Sequence, residues 1–247
     1  MLLNSQESYN KYYYKSRVTN EDMHNGIFNN QTESEKEWVK EWKQQLKDKA
    51  NFFKERTGFA GNITFHDDRA SLKRINGNFV CSPVVDSISA ISSANQIFNE
   101  ITDLINVPRN QLLNTSVRKL EYSDRTEWVV EYSQSINGIE VNNSGIGITY
   151  KENGTFKTCG SVCYPNLSTD IYPQFTQVQI EEKIRKEYDL SDEITFKHGK
   201  YYYVVGRFGE LKLEYSAIYW KDGLPYKVRI NAISGEIISN GKFIIPE

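Results

Sequence analysis

The sequence predicts an α+β protein, with two consecutive domains that each run from a helix into antiparallel strands, and a further amphipathic helix before them. Apolar residues recur with helical spacing in three separate stretches. Short runs rich in Tyr, Val, Ile and Thr follow, and Asn-Gly and Asp-Gly turns punctuate them. The 247 residues are 38 % apolar and 25 % charged, a composition typical of a globular chain with a sizeable core.

The N-terminal part of the chain is predicted to be an arm followed by a helix. Residues 1–33 are polar, rich in Asn and Tyr, and without a clear period, so we expect a loosely ordered arm. Over 34–61 we predict an amphipathic helix, with capping-box spacing of Ser34 and Glu37 and with Gly58 as its C-cap. Its apolar positions are Trp38, Trp42, Leu46, Ala50 and Phe53. This stripe can face a core, and the two tryptophans can alternatively form a docking surface.

The first domain is predicted over residues 62–170. It opens with a short strand or a hairpin over about 62–80 and continues with a helix over about 88–106. The apolar stripe of that helix comprises Ile91, Ala94, Ile97, Phe98, Ile101 and Ile105. Strands are then predicted at about 117–123, 127–136, 139–150 and 155–163. Asn137-Gly138 predicts a type I′ hairpin turn, because both central residues need positive φ, and Asn153-Gly154 repeats the signal.

The second domain is predicted over residues 171–247. A helix is expected at Gln177–Tyr188, and its candidate core contacts are Val178, Ile180, Ile184 and Tyr188. Strands are predicted at about 194–197, 201–207, 211–220 and 224–232, with 235–239 extending the last. Asp222-Gly223 predicts another two-residue hairpin turn.

Two patterns carry a resemblance to a known family. Gln134 is followed by Gly138, Ile139 and Val141, which resembles the Q-x-x-x-G-[IV]-x-V turn of the FTP (fungalysin/thermolysin propeptide) unit. The stretch 231–237 resembles the D-A-x-T-G-E-[IV] pattern of the PepSY unit, with Asn for Asp and Ser for Thr. Over about residues 62–240 the chain is similar to the propeptides of thermolysin-type metalloproteases, FTP-like and then PepSY-like, without the protease domain.

The same residues also have a purely structural interpretation. Gly138, Gly154 and Gly235 suit turns that need positive φ. Gln134 is expected to be an exposed strand residue or a partner for a turn backbone. These motifs therefore indicate a fold and not a reaction.

Residue types that support catalysis are scarce. His24, His66 and His198 lie far apart in the sequence, and the chain has no His-Glu-x-x-His motif. At His66-Asp67-Asp68 we predict a solvated turn in preference to a metal site. We therefore predict no enzyme, no catalytic or metal-binding residues and no cofactor. The net charge of −2 and the lack of a long apolar run predict neither a nucleic-acid partner nor a membrane span.

The three cysteines leave two interpretations open. In an extended strand of ~3.3 Å per residue, Cys159 and Cys163 would lie about 13 Å apart, too far to bond each other. Cys81 could pair with either of them. The alternative is three buried, small, apolar side chains.

The resemblance implies a protein that binds a thermolysin-type zinc metalloprotease as an inhibitor, a folding chaperone or both. The segment after the PepSY-like domain would lie near the protease cleft, with apolar side chains in subsites and Glu247 near the zinc ion, although a simple edge strand is the alternative. The candidate contact residues are Trp38, Trp42, Phe243, Ile244, Ile245 and Glu247. Two other interpretations stay open: an extracytoplasmic PepSY-type interaction module with a non-protease partner, and a propeptide fragment of a larger precursor.

The resemblance also implies an extracytoplasmic or secreted protein. The start of the chain, Met1–Ser5, has neither the basic region nor the apolar region of a signal peptide. We therefore expect no secretory signal within these residues.

Overall fold

The computed structural model describes residues 33–66, 69–79, 81–167, 170–206 and 210–243, with the side chains of 33–39, 42, 114 and 115 not described. These residues divide into two compact units. Unit 1 holds the described residues up to Ser135 together with Asn143–Leu167, and unit 2 holds Ile136–Asn142 and the described residues from 170 to 243. The predicted α+β architecture is confirmed. The assignment of an FTP-like and a PepSY-like domain stays a prediction.

Unit 1 combines two long helices with a sheet. Its elements are α1 (Glu33–Thr57), β1 (Ala60–Phe65), β2 (Leu72–Asn78), α2 (Ser87–Ile105), a 3₁₀ turn (Arg109–Gln111), β3 (Leu112–Glu121), β4 (Thr126–Ile136), β5 (Ile139–Lys151) and β6 (Phe156–Ser161). The strands are ordered β1-β2-β6-β5-β4-β3, and the pairs β1–β2, β2–β6, β5–β6 and β3–β4 are antiparallel. The predicted hairpin at 62–80 is thus confirmed as β1 and β2.

The core of unit 1 lies against α2. This helix begins with a capping box, in which Asp86 accepts a hydrogen bond from the Ser89 amide, and it ends at Asn106 in a left-handed conformation. Of the predicted stripe, Ala94, Ile97, Phe98, Ile101 and Ile105 are buried, whereas Ile91 is half-buried. Leu46, Ala50 and Phe53 of α1 are buried too, and an Arg56–Glu100 ion pair joins the two helices.

Unit 2 contains one helix and a sheet. Its elements are the first residues of β5, α3 (Gln177–Glu187), β7 (Lys197–Val205), β8 (Leu211–Lys221), β9 (Leu224–Asn231) and β10 (Ile237–Lys242). The strands are ordered β5-β7-β8-β9-β10, with β5 parallel to β7 and the other pairs antiparallel. α3 begins with a capping box between Thr176 and Gln179.

The two-residue turns behave as their sequences predict, with one exception. Both residues of Asn137-Gly138 and both residues of Asp222-Gly223 have positive φ, as a type I′ turn requires. Between β5 and β6 only Gly154 of the predicted pair does so. There the Asn153 side chain accepts a hydrogen bond from the Thr155 amide, so a longer turn forms.

Several predicted boundaries are wrong. α1 begins at Glu33, so Ser34 lies inside the helix and is not its cap. β3 begins at Leu112, five residues before the predicted start, because pairing with β4 extends the strand through polar residues. Two strands predicted over 194–207 form the single strand β7, which a register shift between Lys197 and Lys200 interrupts.

The burial of two side chains differs from its prediction. Val178 was predicted to contact the core but is 63 % exposed, because the buried face of α3 carries Ile180 and Ile184 instead. Gln134 is not an exposed strand residue, since its side chain is fully buried and bonded to the backbone of Tyr164. The other interpretation of Gln134, a partner for backbone groups, is therefore correct.

Candidate partner-binding surface

The strand register of unit 2 sorts its side chains onto two faces. Residues opposite each other in antiparallel strands share a face, and successive residues alternate between faces. Tyr201 lies opposite Tyr215, which lies opposite Ile230, and this face is the one that contacts α3 through a 2.7 Å hydrogen bond from the Tyr215 hydroxyl to Glu181. The Tyr201 and Tyr215 rings meet edge to face, with centroids 5.2 Å apart. This face forms the core of unit 2.

The opposite face carries a set of exposed lysines. Lys197 and Lys227 both lie opposite Ile218, and Lys200 lies opposite Ser216. Lys212 lies two residues before Glu214 on the same strand and therefore on the same face. We call this surface, with Lys197, Lys200, Lys212 and Lys227, the lysine face. All four side chains are exposed.

Two carboxylates neutralise part of the lysine face. Glu214 is buried and accepts hydrogen bonds from Arg229 at 2.7 and 2.9 Å and from the Tyr202 hydroxyl at 3.2 Å. The hydrogen bond to Glu214 raises the pKa of Arg229, while burial and then the negative charge of Glu214 raise the pKa of Tyr202. Glu140 contacts Lys200 at 3.3 Å. Both carboxylates are therefore already paired within the surface.

Two aromatic rings complete this surface. The Nζ atom of Lys197 lies 5.1 Å from the ring centroid of Trp220, and Nζ of Lys227 lies 5.6 Å from that of Phe243. The Phe243 amide donates a 2.8 Å hydrogen bond to the Pro225 carbonyl, which fixes the chain directly after β10. Both aromatic residues are half-buried, so each keeps part of its ring accessible.

Only one of the six predicted contact residues can be placed on this surface. Phe243 lies on the lysine face. Trp38 and Trp42 belong to α1 in unit 1, but their side chains are outside the described part of the molecule. Ile244, Ile245 and Glu247 are outside the described residues.

The lysines and Trp220 are the residues of this surface that the sequence analysis did not identify. A signal for Lys212 exists in the alternation of Leu211, Lys212 and Leu213, which places the lysine on the face opposite to the two leucines. The alternation alone identifies a solvent face but not which strands lie side by side. The concentration of lysines appears only when the register of β7, β8 and β9 is known.

A second charged cluster lies in unit 1. Arg125, Lys151, Lys157 and Glu127 line a surface cleft of about 570 Å³. The Glu127 side chain is only 8 % exposed and is paired with both Arg125 and Lys157. The hydrogen bond from Lys157, and then that from Arg125, lowers the pKa of the Glu127 carboxyl despite the opposing effect of burial. We interpret this cluster as an ion-pair network that links β4 to β6 across β5.

The described part of the chain contains no group of three His, Cys, Asp or Glu side chains placed to hold a metal ion. The His66 ring lies 2.8 Å from the Ser161 carbonyl oxygen, while Asp67 and Asp68 are outside the described residues. His198 lies in the irregular part of β7, with φ of 56°. Among the helices that the structure describes, none is long and apolar enough to cross a bilayer.

All three cysteines are free thiols. Cys159 and Cys163 are buried, and burial raises both pKa values, that of Cys163 to about 12. Cys81 is half-buried. Buried thiols are thus confirmed for two of the three, and the alternative bridge from Cys81 is not formed.

Comparison with solved structures finds several chains of distant similarity, and two of them are described here. One is the C-terminal domain of YpeB from Bacillus megaterium, at 12 % identity and a TM-score of 0.37, over 82 % of this chain and 97 % of that one. The other is YpmB from Bacillus subtilis, at 12 % identity and a TM-score of 0.22, over 60 % of this chain and 96 % of that one. At these TM-scores we draw nothing about function from either likeness. No protein-family model and no curated protein matches the chain.

Proposed function

We propose that this protein is a non-catalytic binding module for a thermolysin-type zinc metalloprotease, acting as an inhibitor, a folding chaperone or both. The resemblance to FTP and PepSY propeptide units supports this class of partner. One observation supports the docking site: the half-buried rings of Trp220 and Phe243 lie on the lysine face, each beside an exposed lysine. Aromatic anchors surrounded by a polar, solvent-accessible rim are the usual anatomy of a protein interface.

The exit from β10 supports the same surface. Phe243 is fixed to β9 by its backbone and lies beside Lys227. Ile244, Ile245 and Glu247 follow it directly in the chain. We propose that this short segment reaches the protease cleft, with its apolar side chains in subsites and Glu247 near the zinc ion.

Binding to a protease that is a separate chain would place a requirement on the interface. A propeptide joined to its enzyme has an effective concentration on the order of millimolar, whereas a free one acts at micromolar levels. This difference of about a thousandfold in concentration corresponds to roughly 4 kcal/mol of binding free energy. Additional contacts with the protease must supply it. We propose that Trp38 and Trp42 on α1 provide part of it. We also propose an extracytoplasmic location, where the resemblance places such partners.

The test is to add the purified full chain to thermolysin-type proteases and to follow hydrolysis of a small fluorogenic peptide. We expect micromolar amounts to lower the rate while the chain stays intact on a gel, which separates inhibition from simple degradation. The double variant Trp220→Ala/Phe243→Ala should lose at least tenfold in potency. Tyr122→Ala is the matched control, since Tyr122 is an exposed aromatic residue of unit 1 that lies on neither α1 nor the lysine face.

Two results would overturn the proposal. One is unchanged peptide hydrolysis together with an unchanged yield of active protease when the denatured enzyme is refolded beside the chain. The other is an equal loss of potency in the control. For α1, Trp38→Ala and Trp42→Ala should weaken inhibition without lowering the thermal unfolding midpoint. If inhibition and the unfolding midpoint fall together in these variants, α1 is not part of the interface.

A further inference from the structure

The lysine face carries an excess of positive charge that its own carboxylates do not balance. Glu214 is engaged by Arg229, and Glu140 is engaged by Lys200. Among the described residues, Lys197, Lys212 and Lys227 lie within salt-bridge distance of no carboxylate. Three uncompensated lysines therefore share one face of a chain whose net charge is −2. This local positive charge is opposite in sign to the net charge of the chain. The lysine face is therefore a place to which a negatively charged partner is attracted.

The spacing of these lysines sets the size of a complementary group. Lys197 and Lys227 lie on the two strands that flank β8, both opposite Ile218, so their backbones are about 10 Å apart. Lys212 lies six residues from Ile218 along β8, a separation of roughly 20 Å. A single small anion cannot span these distances, whereas an extended polypeptide of about six residues can.

We propose that the lysine face binds an acidic polypeptide segment, whose carboxylates pair with Lys197, Lys212 and Lys227 and whose apolar side chains contact Trp220 and Phe243. This inference rests on the proposed function, because it names the chemistry of the partner surface at the same site. The surface that meets the lysine face is then rich in Asp and Glu. Electrostatic complementarity of this kind mainly raises the rate of association and the specificity.

The arrangement of the rings favours a polypeptide over a nucleic acid. Binding of single-stranded nucleic acid uses open aromatic faces on which bases stack. Here an ammonium group already lies near the Trp220 ring and another near the Phe243 ring. A carboxylate can pair with each ammonium group without displacing it from the ring. The rings then supply apolar contact beside the ion pair.

The number of lysines also disfavours an anionic membrane as the occupant. Polybasic recognition of lipid surfaces takes clusters of four to eight Lys or Arg residues. Only three lysines here are uncompensated among the described residues, and Trp220 and Phe243 are half-buried instead of protruding. A lipid surface would therefore meet too little charge and too little apolar area.

The test measures binding of the full chain to three probes: poly-L-glutamate, a twenty-nucleotide oligo-dT, and vesicles of phosphatidylcholine with phosphatidylglycerol. We expect poly-L-glutamate to bind most tightly, with the affinity falling at least tenfold between low salt and about 0.3 M salt. Lys197→Glu/Lys227→Glu should lower the affinity at least tenfold. Lys73→Glu, an exposed lysine of β2 in unit 1, is the matched control and should change it less than twofold.

Each outcome decides the proposal. No binding of poly-L-glutamate at low salt overturns it, as does equal or tighter binding of oligo-dT or vesicles, or an equal loss in Lys73→Glu. If the double variant does not fold, judged by its thermal unfolding, Lys212→Glu replaces it with the same expectation. Polyglutamate binding with neither protease inhibition nor an effect on protease refolding would refute the proposed function alone. Either of those two effects without polyglutamate binding would refute this inference alone.

Discussion

The side chain of Gln134 forms a two-point contact with the backbone of Tyr164. Its Nε2 donates to the Tyr164 carbonyl oxygen at 2.8 Å, and its Oε1 accepts from the Tyr164 amide at 2.9 Å. The Gln134 side chain is fully buried, whereas Tyr164 lies beyond the end of β6. The glutamine amide therefore satisfies the two backbone groups that a neighbouring strand would otherwise satisfy.

We predict that Gln134→Leu lowers the free energy of unfolding by about 2 kcal/mol, because it leaves both backbone groups of Tyr164 without their partner. Urea denaturation followed by circular dichroism measures the change. Gln44→Leu, on the exposed face of α1, should shift it by less than about 0.5 kcal/mol. Equal effects of the two substitutions would show that the contact with Tyr164 contributes nothing specific.

Two glycines of β5 offer a contrast within three residues. A Cβ atom at Gly145 would lie 2.2 Å from the Tyr132 carbonyl oxygen, and φ there is 153°, whereas a Cβ atom at Gly147 meets nothing within 4 Å. Gly145→Ala should destabilise the protein by about 3 kcal/mol through this clash and the strained backbone. Gly147→Ala should be close to neutral. Thermal unfolding of both variants tests this, and similar midpoints would contradict it.

The buried thiols predict a pattern of chemical reactivity. Since the thiolate is the nucleophile, iodoacetamide at pH 8 should label half-buried Cys81 first and should reach Cys159 and Cys163 only after urea is added. Mass spectrometry of tryptic peptides gives the order of labelling. Labelling of Cys163 in the native protein as fast as Cys81 would mean that the packing around it opens readily.

The raised thiol pKa of Cys163 also predicts alkaline destabilisation. Above pH 9 the unfolded chain loses this proton first, so the folded state binds more protons and the free energy of unfolding falls as pH rises from about 9 toward 12. Buried tyrosines with raised pKa values, Tyr150 among them, act in the same direction. Urea titrations from pH 8 to 11 measure the slope, which Cys163→Ala should reduce. A free energy of unfolding that rises from pH 8 to 11 would contradict the raised pKa of Cys163.

The Glu127 network predicts the opposite behaviour in acid. The folded pKa of this carboxyl is lowered, so its contribution is present above the unfolded value of about 4.5 and is lost as pH falls through the folded value. Glu127→Gln should therefore be less stable than the parent at pH 7, and the two should converge as the pH falls below the folded pKa of Glu127. Glu121→Gln is the control, because Glu121 is 71 % exposed and its pairing with Lys119 lies at the surface. A constant difference at all pH values would show that packing and not charge is responsible.

Local sequence signals predicted most of the elements. The Asn137-Gly138 and Asp222-Gly223 turns and the stripe of α2 depend on neighbours within a few residues, and the structure contains all of them. The errors occur where distant contacts decide. The start of β3 is set by pairing with β4, and the exposure of Val178 is set by which face of α3 meets the sheet.

The candidate surface was much less predictable than the fold. The sequence indicated Phe243 from its place after the last strand, but the lysines come from three strands up to thirty residues apart, between Lys197 and Lys227. Their common face depends on strand order and on the register shift in β7. Neither quantity is encoded in a local pattern.

The strand β5 begins in unit 2 and continues in unit 1, which limits where the chain can be cut into fragments. Glu140 and Val141 are the parallel neighbours of Tyr202 and Tyr203 within unit 2, although β5 from Asn143 onward belongs to unit 1. A fragment that starts after Leu167 would leave the backbone of β7 without that neighbour and open to adventitious pairing. Recombinant halves cut at this point should therefore be poor reporters of the native behaviour, and limited proteolysis there should yield two pieces that stay associated.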